Sequence, residues 1–193
     1  MDLVPVAIWI LLGMAGLVFA VKVLYGISIA LVLPMTQGAL YVSTARARVA
    51  AMLEAVAPEP GQVLVDLGCG DGRVLRCASR RYRVRAQGYE LNPLAYLKAR
   101  LLSVGYADVA IHRKNFWKVD LSSADVICCY LFPDVMTRLA GKLKDELKPG
   151  ATVVSCNFPL PGFHPDSVLR PGGHRRNDPV YIYRILAPGA PRP

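Results

Sequence analysis

Apolar residues fill the start of the chain without a repeating polar face. Between residues 3 and 33 only Lys22 is charged. A helix rises about 1.5 Å per residue, so about 20 residues cross the roughly 30 Å of a bilayer core. The pattern therefore predicts a transmembrane helix within residues 1–33, followed by a linker over 34–44.

Other kinds of apolar segment fit this stretch less well. A secretory signal peptide begins with positive charge and has a shorter apolar region, whereas the second residue here is Asp2. A buried core helix would show a polar face, but only Lys22 and Ser28 are polar. An uncleaved signal, a hydrophobic hairpin and an interfacial helix stay open, as does the question whether residues 23–33 span the membrane or lie on it.

Beyond the linker, short apolar runs alternate with segments of helical periodicity. A helix is predicted over 44–57, where Val49, Met52, Leu53 and Val56 share one face. The following elements are predicted strands at 62–67, 84–90, 108–112, 124–131, 151–157 and 180–186, and helices at 72–81, 93–104 and 133–147. Such alternation indicates a mainly parallel sheet covered by helices on both faces.

One globular domain is predicted over 45–187. Within it, residues 159–179 are rich in proline and glycine and are expected to form a long irregular segment near the carboxyl end of a strand. Such segments carry substrate contacts or are plain surface excursions, and both interpretations stay open. The tail 188–193 is predicted to be disordered.

A glycine-rich loop after the first strand carries the clearest chemistry. Gly68, Gly70 and Gly72 allow the backbone to turn sharply and to approach a ligand closely. Asp66 ends the strand and Asp71 lies within the loop, where two carboxylates would repel the pyrophosphate of a dinucleotide. They suit a cofactor that carries an ammonium and a sulfonium group, and S-adenosyl-L-methionine has both.

The acid at the end of the second strand completes this pattern. Glu90 comes 18 positions after Gly72, at the place from which a carboxylate binds both hydroxyls of a free ribose. The run from Val65 to Gly72 resembles the first motif of class I S-adenosylmethionine-dependent methyltransferases, and Glu90 matches their ribose-binding acid. A tight turn without a ligand is the alternative.

This resemblance implies a Rossmann-like α/β fold with a mainly parallel seven-stranded sheet and helices on both faces. It also implies a cofactor site formed by Asp66, Gly68, Gly70, Asp71, Glu90, Leu91, Asn115 and Phe116. In it Asn115 would meet the edge of the adenine, and Phe116 or Trp117 would cover its face. Packing in the core is an equal alternative for the two aromatic rings.

Further motifs narrow the resemblance. The segments 38–44, 88–93, 115–118 and 156–159 recur in order in the small membrane-anchored protein-lysine methyltransferases that modify the ATP synthase c-subunit and the adenine nucleotide translocase. The chain is similar over about residues 36–165 and departs at Ser43 and at Cys156-Asn157. The short loops suggest a prokaryotic member.

The narrower resemblance implies a lysine of a membrane-associated protein as the acceptor. Tyr41, Tyr130 and Asn157 are then expected to line the catalytic channel, with Phe158 as a wall. After Tyr130 the sequence lacks the two prolines that, with an acidic or amide residue, mark N-methyltransferases acting on DNA or glutamine. Two other functions stay open, namely methylation of a lipid headgroup or another membrane-borne small molecule, and cofactor binding without catalysis.

The distribution of charge indicates which partners the domain can bind. The net charge is +9, and six arginines cluster on and after the helix that follows the glycine loop, namely Arg73, Arg76, Arg80, Arg81, Arg83 and Arg85. They fit anionic lipid headgroups or a plain solvated face. Nucleic acid is not expected as a partner because no aromatic residues are interleaved with them.

The residues after the apolar segment indicate its orientation. Arg46 and Arg48 follow the segment, which places the domain in the cytoplasm, at the inner membrane if the chain is bacterial, or in a mitochondrial matrix. The five cysteines show no metal-binding spacing, so no metal is expected and a reducing compartment is indicated.

Overall fold

A computed structural model describes residues 3–36, 46–171 and 178–187. These residues form five α-helices and seven strands. In chain order they are α1 (Leu3–Thr36), α2 (Arg46–Val56), β1 (Val63–Leu67), α3 (Arg73–Tyr82), β2 (Arg85–Tyr89), α4 (Pro93–Leu102), β3 (Val109–His112), β4 (Val126–Cys129), α5 (Pro133–Glu146), β5 (Thr152–Cys156), β6 (Ser167–Leu169) and β7 (Val180–Arg184). A short 3₁₀ helix, Phe116–Lys118, lies between β3 and β4.

All seven strands form one sheet in the order β3-β2-β1-β4-β5-β7-β6. The strands β1 to β5 pair in parallel, and β7 runs antiparallel between β5 and β6. The predicted Rossmann-like class is confirmed. The prediction that 159–179 is irregular throughout is wrong at β6, because this strand has only three residues, too few for an alternating pattern, and forms by pairing with β7.

Two apolar cores cover the two faces of the sheet. One contains Leu139 and Leu143 of α5, and the other contains Leu53 of α2 and Leu75 of α3. All five residues of β1 are buried because helices cover it on both sides. The strand β1 thus lies in the interior of the sheet, between β2 and β4, and its carboxyl end leads into the glycine loop.

The helix α1 stands apart from these cores. Its segment Val6–Ser28 has 23 residues and a mean hydropathy of 2.3, and it is long and apolar enough to cross a membrane. The helix continues to Thr36, whereas the sequence predicted a break at Pro34. Pro34 removes one hydrogen bond and its ring crowds the carbonyl four residues back, and the helix ends only two residues after it.

Polar contacts between Ser28 and Asn92 join α1 to the domain. Asn92 Nδ2 donates to Ser28 Oγ at 3.1 Å, and Ser28 is buried there. The same Asn92 caps α4, because its Oδ1 accepts from the amides of Leu94 and Ala95. The carboxyl-terminal part of α1 therefore lies beside the first turn of α4.

Gly88 in β2 is predicted to be essential for stability. An added Cβ would lie 2.4 Å from Leu75 Cδ1 and 2.7 Å from Cys69 Sγ. Gly88→Ala should lower the free energy of unfolding by about 1–3 kcal/mol through overpacking, measured by chemical denaturation in detergent.

The control for this change is Gly141→Ala in α5. No atom lies within 4 Å of the Cβ that it adds, so it should raise stability by up to about 1 kcal/mol through helix propensity. Equal effects of the two substitutions would contradict the packing described for β2.

Candidate functional site

The predicted site residues come together at one edge of the sheet. Parallel strands place their carboxyl ends at the same edge. Asp66 lies near the end of β1, while Glu90, Asn115, Tyr130 and Asn157 follow β2, β3, β4 and β5. Tyr41 lies outside the described residues, so its catalytic role stays a prediction.

The glycine loop folds by left-handed turns that only glycine adopts readily. The φ angles of Gly68, Gly70 and Gly72 are 77°, 54° and 74°. The amides of Gly68 and Cys69 donate to the carbonyl of Tyr89, at 2.9 and 3.1 Å. The loop is thereby tied to the end of β2, which brings Asp66 and Glu90 close together.

Backbone amides hold the carboxylate of Glu90. Its Oε2 accepts from Gly70 N at 2.9 Å, and its Oε1 accepts from Asn92 N at 2.8 Å. Burial raises the pKa of Glu90, against the lowering effect of these hydrogen bonds. Because a carboxylate has about four acceptor positions, both oxygens keep capacity for the two hydroxyls of a ribose.

Asp66 is the most perturbed acid of the site. Burial raises its pKa to about 7, and the charges of Glu90 and Asp71 add to the effect. Among the described residues neither Asp66 nor Glu90 forms a salt bridge with a cation. This buried negative charge fits a positively charged ligand, and S-adenosylmethionine satisfies that requirement.

Asp71 has a different environment from the one that the sequence suggested. Its Oδ1 accepts from Arg73 N at 3.1 Å, and its Oδ2 lies 3.2 Å from Arg73 Nη2. Arg76 Nη1 donates to the carbonyl of Asp71. The charge of Asp71 is thus partly balanced within the chain, so the attraction for a cation rests mainly on Asp66 and Glu90.

The residues predicted to hold adenine are themselves engaged in packing and capping. Asn115 Oδ1 accepts from Trp117 N at 3.0 Å and so caps the 3₁₀ helix. Phe116 is buried in the core with its ring centroid 4.7 Å from that of Trp117, and Leu91 is half-buried. Phe116 therefore packs in the core of the domain. Its contact with adenine stays a prediction.

Tyr130 and Asn157, which the sequence predicts in the catalytic channel, are joined directly by a hydrogen bond. Asn157 Nδ2 donates to the hydroxyl of Tyr130 at 2.7 Å. Asn157 has a φ of 68°, a left-handed conformation that asparagine tolerates better than most residues, and its amide donates to Pro179 O. The side chain of Asn157 is thereby directed across the ends of β4 and β5.

Two further residues support Asn157 and were not singled out as site residues by the sequence. Arg48 Nη1 donates to Asn157 Oδ1 at 3.3 Å, and Arg48 Nη2 forms an ion pair with Asp178. Burial would lower the pKa of Arg48, but the hydrogen bond and charge of Asp178 raise it. The sequence contains no motif that predicts this role for Arg48. In the sequence Arg48 stands out only as a positive charge that follows the predicted membrane helix.

Comparisons with known proteins agree with this geometry. A family model described as the ANTKMT methyltransferase domain matches residues 66–167. The adenine nucleotide translocase lysine N-methyltransferase of Mus musculus is 39% identical over 152 residues, which are 77% of this chain and 64% of that protein. A protein-lysine N-methyltransferase of Saccharolobus islandicus is 35% identical over 150 residues, covering 75% of this chain and 92% of that protein.

A solved structure gives the same result. The RNA methyltransferase from Salinibacter ruber, in complex with S-adenosyl-L-homocysteine, superposes with a TM-score of 0.69 and 35% identity. The match covers 75% of this chain and 94% of that one. The chain thus spans slightly less than two thirds of the mouse protein but nearly the full length of the archaeal protein and the bacterial structure.

The raised pKa of Asp66 predicts a pH dependence. In the unfolded chain this acid has its ordinary pKa of 3.8, so its contribution to stability is present below that pH and is lost as the pH rises to about 7. A cationic ligand favours the ionised acid. Affinity for S-adenosylmethionine should therefore rise by up to about tenfold per pH unit below about pH 7, measured by calorimetric titration.

Asp66→Asn is the matched control for this measurement. The amide keeps the shape of the side chain but does not titrate, so the slope assigned to Asp66 should disappear. Titration of the ligand's own amine affects both proteins equally and cancels in the comparison. The same slope in both proteins would show that Asp66 does not ionise on binding.

Proposed function

We propose that this chain, which belongs to the family of ANTKMT methyltransferase domains, is an S-adenosylmethionine-dependent protein-lysine N-methyltransferase that acts on membrane-associated proteins. The observation that carries the proposal is the pair of buried acids Asp66 and Glu90 beside the glycine loop, without a cationic partner among the described residues. The printed names of the mouse and archaeal relatives support lysine as the acceptor.

The cofactor, when bound, supplies a methyl group on a positively charged sulfur. In the proposed site Asp66 supplies negative charge near that cation, and Glu90 accepts from the ribose hydroxyls with the oxygen capacity that its two amide donors leave. The loop of Gly68, Gly70 and Gly72 allows the backbone to approach the ligand. These residues bind and orient the donor and take no part in proton transfer.

The acceptor must arrive as a neutral amine. Lysine has a pKa near 10.4 in water, and an apolar channel lowers it by disfavouring the charged form. Phe132 and Phe158, whose rings lie 6.3 Å apart, supply apolar surface near Asn157. The hydroxyl of Tyr130, fixed by Asn157, is placed to orient the amine by a hydrogen bond.

The membrane location is supported by α1. Its apolar segment Val6–Ser28 is long enough to span a bilayer, and residues 6–24 are exposed throughout. With Arg46 and Arg48 after the helix, the domain is proposed to face the cytoplasm, at the inner membrane if the chain is bacterial. A tether raises the local concentration of acceptors in the same membrane.

Two other acceptors are supported by particular observations. The same helix would bring a lipid headgroup close to the enzyme, and the Salinibacter ruber relative is described as an RNA methyltransferase. Each acceptor class can be separated physically after the reaction. The experiment below therefore distinguishes protein, lipid and RNA.

Membranes and RNA from cells that lack this gene are incubated with the purified full-length protein and S-adenosylmethionine carrying a labelled methyl group. We expect the label in protein, on lysine, with peptide masses raised by one, two or three methyl groups. Label confined to lipid or to RNA would replace the proposed acceptor, and no transfer to any class would contradict an enzymatic role.

Glu90→Ala is the inactive comparison in this experiment. Loss of charge-assisted hydrogen bonds to the ribose should weaken cofactor binding by about 1–3 kcal/mol, measured by calorimetry, and should reduce labelling in parallel. Unchanged affinity would count against the assigned site, whatever the acceptor.

Tyr130→Phe tests the acceptor side separately. Removing the hydroxyl should lower kcat about two- to tenfold, the equivalent of a hydrogen bond worth about 0.5–1.5 kcal/mol, with cofactor affinity unchanged. The control is Tyr96→Phe, because the Tyr96 hydroxyl accepts a hydrogen bond from Arg100, four residues along α4. Equal kcat for the two variants would exclude an orienting role for Tyr130.

A further inference from the structure

The carboxyl-terminal end of α4 exposes a group of large apolar side chains. Leu97, Leu101, Leu102 and Val104 are 52, 64, 47 and 78% exposed. A soluble domain rarely keeps several large aliphatic side chains together at its surface without a partner. Because α4 begins at the carboxyl edge of the sheet, this group lies at the opposite, amino edge.

The same end of the domain is positively charged. Neither α3 nor α4 contains an acidic residue, and their basic residues near this edge include Arg80, Lys98 and Arg100. A cavity of about 800 Å³ between α3 and α4 is lined by Arg76, Arg80, Lys98 and Leu102, among others. Basic groups around an apolar centre are the composition of surfaces that enter the headgroup region of an anionic bilayer.

The helix α1 adjoins this surface. Ser28 lies beside Asn92 at the start of α4. A cleft of about 530 Å³ is lined by Val21 and Lys22 of α1 together with Leu101 and Leu102 at the end of α4. The two helices therefore run antiparallel, and the amino-terminal part of α1 leaves the domain at the amino edge.

We propose that this basic and apolar end of α3 and α4, defined by Arg80, Lys98, Leu101, Leu102 and Val104, docks onto anionic phospholipid at the surface of the membrane that α1 enters. The apolar side chains lie among the upper acyl chains, and Arg80 and Lys98 contact the phosphates. The surface is continuous with α1 through the shared cleft, so one bilayer contacts both. The proposal rests on the membrane role given to α1 above.

This docking fixes the height of the active site. Glu90 and Asn92 lie at the start of α4, and the helix has 10 residues, so at about 1.5 Å per residue the site stands on the order of 15 Å above the docked end. The carboxyl edge of the sheet then faces away from the membrane. The enzyme would reach lysines that project from the bilayer, such as those in loops.

The test uses the full-length protein in vesicles of phosphatidylcholine with or without phosphatidylglycerol. Benzoylphenylalanine, a photo-crosslinking residue, replaces Val104 in one protein. In a second it replaces Thr137, an exposed position of α5 on the other face of the sheet. After illumination, mass spectrometry identifies what is attached to each position.

We expect phospholipid adducts at position 104 and only background at position 137. Labelling at 104 should increase with the content of phosphatidylglycerol, and Arg80→Gln combined with Lys98→Gln should remove that increase. An absence of lipid adducts at 104, equal labelling at both positions, or protein or nucleic acid attached at 104 in place of lipid would each overturn the proposal.

Two measurements on the same vesicles test the docking surface separately from the proposed membrane anchor and cofactor site. Quenching of Trp9 by lipids with brominated chains reports whether α1 is in the bilayer, since Trp9 is 73% exposed on that helix. Binding of S-adenosylhomocysteine reports whether the cofactor site is folded. Quenched Trp9 and normal binding without adducts at 104 would refute the docking surface alone, whereas unquenched Trp9 would refute it together with the anchor.

Discussion

Two buried acids without a cationic partner, Asp66 and Glu90, are the constraint on which the candidate site depends. Burying negative charge is costly, and the cost appears as the raised pKa of each acid. The fold tolerates it because backbone amides of Gly70 and Asn92 hold Glu90 and because the glycine loop is tied to the end of β2. Gly88 has a part in this arrangement, since only a residue without Cβ leaves room for Cys69 and Leu75 behind the loop. A site arranged in this way is completed by a cation, which is why its chemistry favours a sulfonium cofactor over a dinucleotide.

The acceptor side depends on contacts between distant parts of the chain. Arg48 belongs to the first helix of the domain, Asn157 follows β5, and Asp178 precedes β7, yet they form one connected group with Tyr130. The ion pair of Arg48 and Asp178 is nearly neutral overall, so in the proposed acceptor site it would orient Asn157 without placing a strong net charge beside the amine. The cofactor half is held by local backbone geometry, whereas the acceptor half is held by tertiary packing. Relatives can therefore share the first half and differ in their acceptors.

The difference between local backbone geometry and tertiary packing explains which features could be predicted from the sequence. The glycine loop, Asp66 and Glu90 are encoded by residues close together in the chain, so motif and spacing were enough to predict that they lie together. The parallel strands were visible as apolar runs because they are buried on both faces. Strand β6 was missed because three residues carry no period, and Arg48 with Asp178 was missed because 130 positions separate the partners. Asn115 and Phe116 show a further limit, since a motif identifies residues near a ligand without separating those that contact it from those that pack behind it.

The direction of α1 relative to the sheet has a consequence for the choice of acceptor. The helix runs antiparallel to α4, and its residues from Val21 to Ser28 lie along the domain. A membrane that holds the part of α1 before Val21 therefore lies at the amino edge, while Glu90, Tyr130 and Asn157 lie at the carboxyl edge. The amine of a phospholipid headgroup remains at the bilayer surface and cannot rise through the thickness of the domain without leaving the membrane. A lysine on a loop of a membrane protein can do so, because a chain in extended conformation covers about 3.3 Å per residue. The proposed membrane anchor, with this geometry, thus favours protein over lipid as the acceptor, independently of the names of the relatives.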